Sequence, residues 1–130
     1  MKLQRLDHFG LEVIDLKRAE RFYTEVLGLA VVARFGHQVL LGCGDQNLAL
    51  FGVDRAPIDA ATRHSRISNP LGKGHHAFRV SHSDFASAGA RLLESGVEVA
   101  SPIDWGDHDC LYFLDPDGNL LEIVTYREAL

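Results

Sequence analysis

Two stretches of the chain carry the same pattern, and that repeat constrains the fold more than any single motif. Moving the sequence along by 67 positions places His8 on His75, Leu11 on Phe78 and Val13 on Val80; a shift of 68 places Gly28 on Gly96. Each half reads strand, helix, strand, strand, strand. In the first half, Phe9, Leu11 and Val13 alternate with His8, Gly10 and Glu12, the period of a half-buried strand. Asp15 suits the N-cap of a helix whose apolar stripe is Leu16, Ala19, Phe22, Tyr23, Val26 and Leu27. Gly28 stops that helix where the chain must turn left-handed. Strands are expected over 29–32, 37–41 and 47–51. In the second half a strand is expected over 74–80. A helix follows, capped by Ser83 or Asp84 and ended at Gly96, with Phe85, Ala88, Leu92 and Leu93 on its apolar side. Strands are then expected over 97–100, 109–114 and 119–126, with Asp115-Pro116-Asp117-Gly118 as a tight turn. Two such units pack their helices on the outside and leave the other face of each sheet free.

Length and charge narrow the class. At 130 residues and 14.4 kDa the chain has the size of one domain. We expect module one over about 4–52 and module two over about 73–127 of a single domain, 1–130. Residues 53–72, with Pro57, Pro70, Arg55, Arg63 and Arg66, break the rhythm and read as an inter-module loop; its arginines would also suit an anionic substrate. The formal net charge of −5 argues against a non-specific nucleic-acid binder. Cys43 and Cys110 form no disulfide framework and no CxxC. No apolar run is long enough to span a bilayer, and the N-terminus lacks a secretory core, so no membrane partner and a cytoplasmic location are expected.

Seven histidines are an unusual number for a chain this short. The period of two puts His8 and His75 on the free faces, followed there by the small residues Gly10 and Ala77. Glu122 stands inside Leu120-Leu121-Glu122-Ile123-Val124, where an unpaired carboxylate is costly to bury. Two readings of these residues stand side by side. Each histidine can be a hydrogen-bonded structural residue and Glu122 can pair with Arg79. Alternatively, two histidines and one carboxylate hold a divalent metal with positions open for water and substrate.

Three motifs carry a resemblance that covers nearly the whole chain. Asp7-His8-Phe9-Gly10-Leu11-Glu12-Val13 with Phe22-Tyr23-Thr24-Glu25-Val26-Leu27-Gly28-Leu29 resembles the opening of the vicinal oxygen chelate superfamily. That group holds glyoxalase I, fosfomycin-resistance enzymes, bleomycin-resistance proteins and extradiol dioxygenases. Gly74-His75-His76-Ala77-Phe78-Arg79-Val80 resembles its second-module strand, and Asp115-Pro116-Asp117-Gly118-Asn119-Leu120-Leu121-Glu122 its closing hairpin. The resemblance implies an α+β fold of two βαβββ modules forming a cupped mixed sheet, with helices on the outer face. It implies one divalent metal (Fe, Mn, Zn or Ni) held by His8, His75 and Glu122, with His76 on the outer face and no further cofactor. A fourth protein ligand, present in glyoxalase I, would fall on Ala49 or Leu50, and neither can bind a metal. Gly10 stands where fosfomycin enzymes place a threonine, and their potassium-binding loop has no clear match. The triad fits extradiol dioxygenases best, and Tyr112 matches a tyrosine on the strand before their ligand glutamate. His108, near the rim, is the candidate acid/base, with His37 and His64 weaker ones. The expectation is a metal-dependent enzyme acting on a small oxygen-chelating substrate, foremost an extradiol-type dioxygenase. The alternatives are a glyoxalase-like lyase, isomerase or thiol transferase, and a metal-free binding protein of the bleomycin-resistance type. The family also implies a homodimer, in which His8 joins His75 and Glu122 of the other chain.

Overall fold

The computed structural model describes residues 1–127. The chain divides into two compact units, Met1–Pro57 and Ile58–Leu130. Each carries one four-stranded mixed sheet, so the fold is α+β with two βαβββ-type modules.

The first unit holds β1 (His8–Val13), α1 (Leu16–Arg21), β2 (Ala30–Phe35), β3 (Gln38–Cys43) and β4 (Gln46–Gly52), in sheet order β1-β4-β3-β2. Asp15 accepts the Arg18 N–H at 3.0 Å and caps α1 as expected. The helix does not run evenly to Gly28: its last turn, Phe22–Val26, widens to a π-helical turn before Gly28 takes φ +78°. Phe9 is half-buried and Leu11 and Val13 are buried, while His8, Gly10 and Glu12 are exposed. Alternation along β1 is therefore as the sequence indicates.

The second unit holds α2 (Ala60–Ser68), β5 (His76–Arg79), α3 (His82–Glu94), β6 (Ile103–Asp104), β7 (His108–Leu114) and β8 (Leu120–Tyr126), in sheet order β5-β8-β7-β6. α3 begins two or three residues earlier than expected because Ser81 is its cap, accepting the Asp84 N–H at 3.2 Å. α3 lies on the face that carries Leu111, as the approach of Gly89 to that side chain shows.

Two expectations need correction. The 53–72 segment is not a structureless loop but contains α2. Asp59 caps it by accepting the Thr62 N–H at 2.7 Å, and Ala60-Ala61 start it with good helix formers. Ile67 from this helix packs on a cluster of Cys110, Tyr112, Leu114, Leu120 and Val124. Residues 97–100 do not form a full strand; Val99 makes an isolated bridge to Phe113, and the short edge strand falls at Ile103–Asp104 instead.

Candidate metal centre

The register of the second sheet sets Glu122 opposite Ala77 on one side and Tyr112 on the other. Cross-strand partners share a face. Glu122 therefore lies on the face away from Leu111 and α3, in the same row as Ala77 and Tyr112. Its residue is 8% exposed, a rare position for a carboxylate that is not held by a partner. His75 stands just before β5, and its Nε2 lies 2.9 Å from Glu122 Oε1. Edge-on to the His75 ring sits Tyr112, with centroids 5.2 Å apart.

The hydrogen bond on the other side of the His75 ring decides what this pair can do. Nδ1 lies 2.8 Å from the Lys73 carbonyl oxygen, which can only accept, so Nδ1 carries a proton. In the neutral imidazole, Nε2 then presents a lone pair to the Glu122 carboxylate. Two lone pairs cannot sit 2.9 Å apart without a cation between or beside them: either a proton or a metal ion. A ring whose Nδ1–H is tied to a carbonyl while Nε2 faces a carboxylate is the usual preparation of a metal-binding histidine. The donor set therefore fits a divalent metal.

His8, in the first unit, is prepared in the same way. Its Nδ1 lies 2.8 Å from Asp7 Oδ2, which turns Nε2 outward, and the side chain is half exposed. Reading the sequence singled out His8 but not Asp7; an acidic residue directly before a candidate ligand histidine was the available signal. The space beside Gly10 is filled, since a Cβ there would come within 2.8 Å of the Phe51 ring. Register settles the fourth-ligand position too: Ala49 lies opposite Gly10, in the row after His8, and is wholly buried.

The remaining candidates have clear positions. Burial, reinforced by the negative charge of Glu122, pushes the Tyr112 phenol above its ordinary value, so it stays protonated at neutral pH. It is a donor there and not a base. His108 shares the Glu122 face but stands four residues from Tyr112 along β7, about 14 Å at the usual rise. Its ring is stacked between Trp105 (6.1 Å) and Tyr126 (5.0 Å), with Nδ1 2.6 Å from Asp107 Oδ1. The second unit thus brings His75, Glu122 and Tyr112 together and sets His108 apart from them. His76 lies opposite Leu121, on the face away from Glu122, as expected. Among the described residues, no third His, Cys, Asp or Glu joins the pair into a group. Two of the three loop arginines are engaged structurally. Arg63 bonds Glu98 at 2.5 Å and the carbonyls of Asp115 and Pro116, while Arg66 bonds the Gly118 carbonyl.

Comparison with known proteins gives the family. The family profile "Glyoxalase/Bleomycin resistance protein/Dioxygenase superfamily" matches residues 5–123. The chain belongs to that superfamily. It is 35% identical to "Glutathione transferase FosA" of Serratia marcescens, over 93% of this chain and 80% of that protein. It is 30% identical to "Biphenyl-2,3-diol 1,2-dioxygenase 3" of Rhodococcus globerulus, over 92% of this chain and 62% of that one. In fold it matches the fosfomycin resistance protein FosX from Listeria monocytogenes, solved with Mn(II) and a sulfate ion. There the TM-score is 0.76 at 17% identity, covering 97% of this chain and 93% of that one. The superfamily contains enzymes of different reaction types, and its members act on small molecules. Among the described residues no helix is long and apolar enough to cross a membrane.

Proposed function

We propose that this chain is a divalent-metal-dependent enzyme acting on a small substrate that offers two oxygens to the metal. The observation that carries this is the His75 Nε2–Glu122 Oε1 contact at 2.9 Å, with the Nδ1 proton already committed to Lys73. His75 and Glu122 would hold the metal, with His8 the third donor. When bound, such a metal supplies Lewis acidity, stabilising negative charge on a coordinated oxygen. Tyr112, protonated and against the His75 ring, donates a hydrogen bond to that same charge. The buried carboxylate orients the imidazole, and the packing of Cys110, Tyr112 and Val124 keeps the floor dry.

Two reactions suit this set. Thiol transfer comes first, because the transferase relative is matched over most of its length at the higher identity. In that step a thiolate sulfur bonds to a substrate carbon while a C–O bond breaks, and the departing oxygen takes up a proton. Ring-opening oxygenation of a catechol is the second reading, favoured by the two-histidine, one-carboxylate donor set and by the place of Tyr112. A homodimer goes with either reading.

The test is metal content and turnover. Wild-type protein purified without chelator should hold about one equivalent of divalent metal, and Glu122→Gln should lose it, with affinity falling by at least about 100-fold. Unchanged metal content in Glu122→Gln would overturn the site. Glutathione-dependent turnover with Mn(II) would support transfer; iron lost in air together with catechol cleavage would support oxygenation.

A further inference from the structure

A second feature of the same sheet points to what the substrate carries. Beyond the ends of the parallel strands β5 and β8 lies an open cavity of about 780 Å3, bordered by Arg79, Ser81, His82, Thr125, Tyr126 and Arg127. The side chains around this cavity are basic, but they are not equivalent. Arg127 is already neutralised, pairing with Asp104 at 3.0 Å and Asp109 at 2.8 Å. Arg79 makes no ion pair among the described residues. Its guanidinium instead lies over the Tyr126 ring, 4.9 Å from the centroid. The positive end of α3 adds little, because Ser81 caps it and Asp84 stands in its first turn.

Planar groups continue from Arg79 across the sheet. Tyr126 stacks on His108, and His108 on Trp105, whose indole N–H is fixed by the Cys110 sulfur at 3.3 Å. Such a stack holds a guanidinium flat and leaves its edge donors directed outward. Arg79 lies opposite Val124, two residues beyond the Ala77–Glu122 pair, which is about 7 Å along the strand. Between the Glu122 row and the stack lie Val124 and Cys110, both buried, with Trp105 set against the Cys110 sulfur.

We propose that Arg79 is a specificity residue that binds a carboxylate or phosphoryl oxyanion on the substrate. The substrate class is then a small molecule with an anionic end set apart from its metal-binding oxygens. The inference rests on the proposed function only for the statement that the anion belongs to the substrate; the anion site itself can be tested without metal.

Trp105 is the sole tryptophan, so its fluorescence reports on the stack. In metal-free full-length protein, inorganic phosphate should produce a saturable change in Trp105 emission. Arg79→Gln should weaken apparent phosphate affinity at least about tenfold, corresponding to about 1.4 kcal/mol. Arg79→Lys should fall between, since a lysine keeps the charge but not the flat fork. Unaltered far-UV circular dichroism and urea midpoint would show that the variants fold. Non-saturable titration, or an Arg79→Gln curve matching wild type, would overturn the proposal. Glu122→Gln should leave phosphate binding intact. Loss of metal binding with phosphate binding retained in wild type separates the two readings, as does the reverse.

Discussion

Ala49 and Glu122 occupy the same place in the two sheets. Ala49 lies on β4 opposite Gly10 of β1 and Leu40 of β3; Glu122 lies on β8 opposite Ala77 of β5 and Tyr112 of β7. One row therefore reads glycine, alanine, leucine, and the other alanine, glutamate, tyrosine. Both sheets keep the histidine that precedes the row, and both tie its Nδ1 to an oxygen. Only the second keeps a carboxylate for Nε2 to face. In the first sheet, the Phe51 ring takes the room beside Gly10. The repeat thus supplies a common scaffold, and the difference between its halves decides where charge is buried. Burying a charge is costly, so a sheet that keeps one must supply a partner for it, here the His75 ring.

The comparison breaks most visibly if a carboxylate is forced on the first sheet. Ala49→Glu places a charged side chain at a wholly buried position with leucine across from it. The expected cost is about 3 kcal/mol or more, read as a lowered urea midpoint at pH 7. A variant as stable as wild type would mean that the first sheet also accepts a ligand carboxylate, and that its alanine is incidental.

The turns that close the two sheets differ in the same sense. Asp115 is 1% exposed, and its carboxylate accepts the N–H groups of Asp117 and Asn119 and the Asn119 amide, each at 2.9 Å. Asp45, in the corresponding turn of the first unit, is exposed and among the described residues meets only Arg5, at 3.0 Å. Asp115→Ala should cost about 2–3 kcal/mol, because it strands buried donors, whereas Asp45→Ala should cost less than about 0.5 kcal/mol. Equal denaturation midpoints for the two variants would remove the distinction.

Most of the scaffold was legible because its signals are local. The alternation along β1, the Asp15 cap, the stop at Gly28 and the Asp115–Gly118 turn each depend on a few adjacent residues. α2 was obscured by Pro57 and by arginine and serine, although Asp59-Ala60-Ala61 held a capping signal. Its apolar contact, Ile67, becomes intelligible only against β7 and β8. His75, Glu122 and Tyr112 were legible as candidates, because a carboxylate in an apolar run is conspicuous. The stack of Trp105, His108, Tyr126 and Arg79 was not, since it joins residues from β5, β7, β8 and the edge beyond β6. Nor could the sequence show that Arg63 and Arg66 serve the closing turn.

A third variant makes the second sheet resemble the first. Glu122→Leu removes the buried carboxylate and leaves His75, which is 30% exposed and can be solvated. In metal-free protein this substitution should raise stability by about 1 kcal/mol, as replacing buried charge by apolar volume often does. Metal should no longer stabilise it, whereas saturating metal is expected to raise the midpoint of wild type. A lower midpoint for metal-free Glu122→Leu would show that the carboxylate is structural.

The smallest effect concerns an ion pair of the first unit that takes no part in the candidate site. Arg34 meets Glu20 bidentately, with Nε to Oε1 at 2.7 Å and Nη2 to Oε2 at 3.0 Å. The guanidinium holds the Glu20 carboxyl below its ordinary value, outweighing the opposing effect of burial. A carboxyl that is more acidic in the folded protein than in the unfolded chain stabilises above the unfolded value, near 4.5. That contribution fades as pH falls through the lower folded value. Arg34 is largely exposed, so solvent screening keeps the gain small. Arg34→Gln should therefore lower the urea midpoint slightly at pH 7 and not at pH 2.5, with metal content unchanged. A deficit of equal size at both pH values would assign the effect to the packing of the Arg34 stem. A loss of metal would show that the outer side of the first unit is coupled to its candidate histidine, and the division of labour between the two sheets would fail.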